Sequence, residues 1–252
     1  MTAGVGTPAR REATGTDRVF DDLVGRVADR YRGTTITARE FARGKLRHDA
    51  VYRAAVCEEQ LPSGGTLLDV GCGQGLSLAL FAEARRAFDA NEWPADWNAP
   101  PRFDRMVGIE TRRRIAGIAR HALAGLAAIV DRDARSAPLE PARVILLFDV
   151  LHMMPARDQE TLLSSLASRL DPAGVMLVRE ADASGGWRFE TVRISNRAKA
   201  VVLGSWRQPF HFRSRGEWLA CFTELGLHAT VRPMGPGTPF ANVLFRVTAS
   251  HA

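Results

Sequence analysis

The sequence predicts an α/β fold: a doubly wound, mostly parallel seven-stranded sheet with a C-terminal antiparallel hairpin and an N-terminal helical cap. Three observations carry this reading. From residue 66 onward, short apolar runs alternate with segments of helical spacing, the pattern of parallel strands joined by crossover helices. The first run ends in an acid followed by glycines at alternate positions, as a strand entering a tight turn does. The last two runs are joined by a Pro/Gly-rich loop too short for a helical crossover, so they pair antiparallel.

The elements follow in chain order. Residues 1–15 have no apolar stretch of the kind a secretory signal needs and read as a disordered tail. Residues 16–60 read as a helical cap. Val19, Phe20, Leu23, Val24 and Val27 recur at helical spacing, Gly33 marks a break, and Thr37-x-x-Glu40 has the form of a capping box opening a second helix that carries Phe41, Val51, Tyr52 and Val56. Residues 61–252 form the sheet domain. Its strands are expected at 66–70, 106–109, 127–130, 144–148, 175–178, 228–232 and 240–247. Helices are expected at 76–88 and 111–126, around Leu162, Leu163, Leu166 and Leu170, and after the capping box Ser214-x-x-Glu217. Asp171 to Gly174 is expected to turn the chain into the fifth strand. Residues 89–104, with Trp93 and Trp97, form an irregular insertion, expected as a lid or partner surface; that leaves a homodimer open.

Composition bounds the function. The apolar share of 46% suits a globular chain with a sizeable core, and no run approaches the roughly 18 apolar residues of a membrane span. With no targeting signal, the cytoplasm is the expected location. The net charge of +6 comes almost wholly from arginine, since Lys45 and Lys199 are the only lysines. The arginines are scattered among acids over the whole chain, which counts against a nucleic-acid surface. Cys57, Cys72 and Cys221 form no CxxC pair, so neither a disulfide framework nor a metal site is expected.

The chemistry concentrates in Leu67-Leu68-Asp69-Val70-Gly71-Cys72-Gly73-Gln74-Gly75. A strand, a glycine-rich turn and a helix N-terminus make a cradle in which backbone amides face a ligand. The spacing D-x-G-x-G-x-G differs from the dinucleotide fingerprint. These residues resemble motif I of the class I, Rossmann-like methyltransferases that use S-adenosyl-L-methionine, and the order of strands from about Gly65 to Val247 resembles that family too. The resemblance implies that Gly71, Cys72, Gly73 and Gly75 wrap the methionine part of the cofactor above Asp69. It implies that Glu110 accepts bonds from both ribose hydroxyls, and that Asp133, with Ala134, receives the adenine, Asp131 competing for that role. Asp149, at the end of the fourth strand, would support the cofactor's amino group.

The substrate would lie outside the carboxyl ends of the strands. His152, whose ring titrates near neutrality, is the candidate general base, and Glu180 is a second candidate catalytic group. Tyr31 and Arg43 from the cap, Trp187 after the fifth strand and Arg213 before the last helix are candidate substrate contacts. No Asn-Pro-Pro-Tyr motif follows the fourth strand, which argues against amino-methylation of bases, and no Pro-Cys pair argues for cytosine C5 chemistry. The leading expectation is O- or C-methylation of a small molecule of secondary or lipid-related metabolism. An RNA or protein methyltransferase and a non-catalytic cofactor-binding protein remain the alternatives.

Overall fold

The structure is a computed structural model and describes residues 15–202, 209–234 and 238–250. Apart from Gly15, the expected tail lies outside the described residues. The helical spacing of Phe20, Leu23, Val24 and Val27 becomes the buried face of α1 (Gly15–Asp29). Gly33 turns the chain at φ +84°, as expected. The start of α2 (Ile36–His48) corrects the expected capping box: Thr35, not Thr37, is the N-cap, and its hydroxyl accepts from the Ala38 amide at 3.0 Å. Asp49 then interrupts the expected continuous helix. It ends α2 and caps the short α3 (Ala50–Arg53), which runs into a single π turn at 54–58. Phe41 stays half exposed.

The sheet has the order β3-β2-β1-β4-β5-β7-β6. β1 (Thr66–Val70), β2 (Arg105–Ile109), β3 (Ala128–Val130), β4 (Ala142–Phe148) and β5 (Leu170–Ala181) are mutually parallel. β7 (Asn242–Ala249) runs antiparallel between β5 and β6 (Leu227–Pro233). The pleat divides β4 cleanly. Val144 and Leu146 face a core shared with α1, α2 and α4 (Leu76–Asp89), while Ile145 and Leu147 face one shared with α6 (Ala156–Ala167) and α8 (Arg215–Glu224). Both faces are buried, which is why the strand reads as continuously apolar. No described helix is long and apolar enough to cross a membrane.

Four expectations are corrected. The helix expected at 111–126 is α5 (Arg113–Ala122), shorter at both ends. Asp171 to Gly174 does not turn the chain into β5 but lies inside it, where the register with β4 shifts. Arg179, Glu180 and Ala181 belong to β5 rather than following it, because Leu244, Val243 and Asn242 of β7 extend the ladder past the apolar run. The segment beyond, in which no element was expected, holds the 16-residue α7 (Trp187–Val202).

The insertion at 89–104 is irregular as expected but is not a lid. It leaves α4 and enters β2, so it lies at the amino ends of the strands, away from the glycine turn. It is tied to the cap: Asn98 donates from Nδ2 to the Glu58 carbonyl at 2.6 Å and from its amide to the Cys57 carbonyl at 3.1 Å. Trp93 and Trp97 meet edge to face at 5.0 Å and pack against the core.

Candidate active site

The first half of the site is built by β1 and β2. Gly71 has φ +71°, and a Cβ there would meet Val150 Cγ2 at 2.4 Å, so the loop folds tightly against the chain leaving β4. Gly73 differs: at φ +56°, its absent Cβ would point into open space. Beneath the turn lies Asp69, 3% exposed, whose Oδ2 has no partner. Burial, with the nearby Glu110 charge, pushes its carboxyl up to about 7 against a hydrogen bond from Ser77. Cys72 is buried under the same turn, and Gly75 opens α4 in the left-handed conformation. Tyr31, expected at the substrate, is instead buried and donates its hydroxyl to the Gln74 carbonyl at 2.8 Å. It braces the turn from the cap.

Glu110 ends β2, 3% exposed, with Arg112 folded over it: the Arg112 amide and Nε reach Oε1 at 2.8 and 2.9 Å, and Nη2 reaches Oε2 at 3.0 Å. Burial opposes its charge, but the Arg112 and Gly73 hydrogen bonds outweigh that and hold its carboxyl below the usual range. The ionised carboxylate can accept from a hydroxyl. Asp133, beyond β3, is held by Arg135, which also pairs with Asp158 on α6, while Asp131 faces Arg120. Ala134 is buried beside it. Asp69's orphaned oxygen, the open space at Gly73 and the ionised, accepting Glu110 fit S-adenosylmethionine: a cation with an ammonium, a ribose diol and a shape that needs bare backbone.

The second half is a cavity of about 440 Å³ on the β4–β5 side. Phe41, Lys45 and His48 of α2 form one wall and Val192, Ser195 and Asn196 of α7 another. Asp149, His152 and Arg179 lie at the strand ends, Phe212 comes from the segment before α8, and Met234, Phe240 and Asn242 complete the lining. Asp149 lines this cavity and adjoins the glycine turn through Val150, so it stands where the two halves meet. It holds φ +59°, an uncommon conformation for a residue with a side chain. Its carboxylate pairs with Arg179, whose other Nη reaches Asp49 Oδ1 at 2.9 Å. Asp49 also holds Lys45 at 2.6 Å.

Arg179 is 3% exposed, and the loss of one member of a buried ion pair strands its partners. Arg179→Leu is expected to destabilise the protein by about 3 kcal/mol, the low end for such a loss because Asp149 is partly open to water. A urea midpoint equal to wild type would contradict that expectation.

His152 sits in the one-turn 3₁₀ segment after β4, buried, with Nδ1 2.8 Å from Glu180 Oε2. Glu180's other oxygen accepts the Leu151 amide at 2.7 Å. Burial resists a charge on the ring, yet Glu180 outweighs it and raises the imidazole above its ordinary value. Phe212 stacks on the ring at 5.0 Å and 8°. Of the expected substrate contacts, Arg43 is half-buried and does not line the cavity, and Trp187 is 69% exposed at the start of α7. Arg213 turns away to Gln159 and Glu160 of α6 and lies over Trp218. Its neighbour Phe212 lines the cavity in its place. Phe41, Asn196, Met234 and Asn242 were not expected at the site. An apolar ring left on the polar face of α2 was the signal available for Phe41.

A sequence model of the methyltransferase-domain family matches residues 38–231. Among solved structures, the mitomycin 7-O-methyltransferase is 20% identical, with a TM-score of 0.58 over 92% of this chain and 68% of its own. The pyocyanin biosynthetic protein is 15% identical, with a TM-score of 0.58 over 92% of this chain and 62% of its own. An O-methyltransferase from neocarzinostatin biosynthesis is 20% identical, with a TM-score of 0.49 over 73% of this chain and 49% of its own. This chain thus spans less than two thirds of two of these proteins. No curated protein matches the sequence. The family match runs through the glycine turn, Glu110 and the cavity floor, and the chain belongs to the methyltransferase-domain family as a class I, S-adenosylmethionine-dependent methyltransferase.

Proposed function

We propose that the enzyme methylates a hydroxyl group of a small, largely apolar molecule enclosed between α2 and α7. The observation that carries this is the His152–Glu180 pair at the wall of the cavity, beside the residue that joins it to the cofactor cradle. Gly71, Gly73, Asp69, Glu110 and Asp149 would hold S-adenosylmethionine, with Asp133 and Ala134 at its adenine. When bound, it supplies a methyl group already activated toward nucleophiles.

The chain's own part is alignment, exclusion of water and one proton transfer. Glu180 accepts from Nδ1 of His152, which leaves Nε2 to take the hydroxyl proton. As the ring becomes charged, Glu180, itself oriented by the Leu151 amide, stabilises it. Phe212 keeps the ring from rotating. Phe41, Val192, Met234 and Phe240 supply apolar contact, and Asn196 and Asn242 supply hydrogen bonds that select an orientation. A cavity of about 440 Å³ suits a small acceptor better than a nucleic acid. The name of the mitomycin neighbour is in keeping with that.

The test is incubation with S-adenosylmethionine carrying a labelled methyl group, against phenols, aliphatic alcohols, bulk tRNA and a protein mixture. Label on low-molecular-weight hydroxyl compounds is expected. Label confined to tRNA or protein would overturn the reading.

A further inference from the structure

The wall that α2 gives the cavity holds a glycine that the fold itself does not require. Phe41, Gly44, Lys45 and His48 line the cavity at i, i+3, i+4 and i+7, one flank of the helix. Ala38, Ala42 and Leu46, further round the helix, are buried in the core. Only proline is a poorer helix former than glycine, so an interior glycine weakens its helix unless something needs the missing side chain. The backbone at Gly44 does not need it, because the residue lies within α2 and outside the left-handed region. Packing does not need it either, since a Cβ there would meet nothing within 4 Å. Gly25 of α1 and Gly117 of α5 also face open space, but neither lines the cavity.

Rings flank this notch. Phe41, one turn before Gly44, is 49% exposed, a phenyl group left in water. His48 lies one turn after it. Among the described residues neither ring has a stacking or hydrogen-bond partner. The lining adds the rings of Phe212, Phe240 and His152 and the thioether of Met234. Such groups pack favourably against the faces and edges of another aromatic ring. An apolar cavity of roughly 150 Å³ holds one benzene, and this cavity is about 440 Å³, room for more than one ring.

We propose that Gly44 determines the acceptor's shape, and that the acceptor is a phenol built on a fused, planar ring system. Its hydroxyl lies at His152, and the edge of its far ring rests on the bare backbone of α2 at Gly44, between Phe41 and His48. This rests on the reading that the cavity holds a hydroxyl acceptor methylated beside His152. A saturated ring system of the same carbon skeleton is puckered, so it lacks the thin edge that enters a notch one methyl group deep, and it gains no stacking. A rigid planar ring system also loses little conformational freedom on binding.

Gly44→Ala separates this role from that of a glycine merely tolerated. Alanine improves the helix and strikes no protein atom, so the urea midpoint is expected to rise while acceptor binding falls. Full-length protein saturated with S-adenosylhomocysteine is titrated calorimetrically with 2-naphthol and with decahydro-2-naphthol. Wild type is expected to bind 2-naphthol at least tenfold more tightly than its saturated counterpart. Gly44→Ala is expected to weaken 2-naphthol at least fivefold and Gly44→Leu at least twentyfold, with affinity for S-adenosylhomocysteine unchanged in both. Equal affinity for the two probes, a lower urea midpoint in Gly44→Ala, or 2-naphthol affinity unchanged in Gly44→Leu would overturn the proposal. So would a parallel loss of S-adenosylhomocysteine, which would assign the notch to the cofactor. Labelled-methyl transfer to aliphatic alcohols without 2-naphthol binding would overturn the fused-ring proposal and spare the hydroxyl-methylation reading. 2-Naphthol binding that Gly44→Leu abolishes, with no transfer to any hydroxyl compound, would keep the notch as a ring-binding site and overturn that reading.

Discussion

Gly73→Ala is expected to lower affinity for S-adenosylhomocysteine by roughly 10- to 100-fold, the equivalent of the 1–3 kcal/mol that overpacking costs. The added methyl meets no protein atom within 4 Å. Its cost to the fold is therefore only that of a side chain in the left-handed region, about 1–2 kcal/mol. The loss of binding comes from the methyl standing in the space reserved for the cofactor. Gly71→Ala separates the two effects. There the new Cβ strikes Val150 at 2.4 Å, so that variant is expected to lose stability as well as binding. Calorimetric titration with S-adenosylhomocysteine and urea unfolding of both variants provide the check. If Gly73→Ala binds as wild type does, the cradle has been placed wrongly.

His152→Ala is expected to reduce kcat by roughly 10²- to 10⁴-fold, the usual contribution of a positioned base, with affinity for S-adenosylhomocysteine unchanged. The pH profile gives a sharper readout. The ring must be neutral to accept a proton, and its native value lies above the ordinary 6.5. In wild type, kcat/KM should therefore rise with pH through that raised value. Glu180→Gln removes the carboxylate that raises it, so the acid limb should move to lower pH even as the plateau falls. Stability carries the opposite sign. The charged pair contributes fully below the unfolded-state value near 6.5 and is lost as pH rises through the raised native value. A kcat/KM limb that stays put in Glu180→Gln would remove Glu180 from the mechanism.

Much of the sheet was legible because its strands are short and apolar, with acids or glycines at their ends. Asp69, Glu110 and Asp149 each stand where a buried strand meets the loop. Their expected roles came from the resemblance of the surrounding residues to the class I methyltransferases. What escaped the sequence depends on partners far away along the chain. Arg179 looked like the start of a loop, because the sequence does not show that β7 lies alongside it or that Asp49 arrives from 130 residues earlier. Arg213 and Phe212 are adjacent, and only the packing of α6 decides which of them turns inward. α7 was missed because its apolar residues lie on opposite flanks, Val192 at the cavity and Ile194 exposed, which erases the single stripe by which a surface helix is recognised. Tyr31 looked like a substrate contact because nothing local reveals that its hydroxyl would find the Gln74 carbonyl.

The placing of β7 between β5 and β6 has a consequence for how the chain acquires its shape. β6 is made first, yet it touches the sheet only through β7. Until residues 242–249 have been synthesised, β6 has no neighbour. β5 meanwhile presents an open edge carrying Arg179 and Glu180, the residues that hold Asp149 and His152. A nascent chain therefore carries an unpaired, partly apolar strand edge until β7 is made, the state most exposed to mispairing. The geometry of the proposed site depends on β7, the last of the described strands in chain order, and a chain cut before it would leave Arg179 and Glu180 on an unpaired edge even though every proposed catalytic residue had already been synthesised.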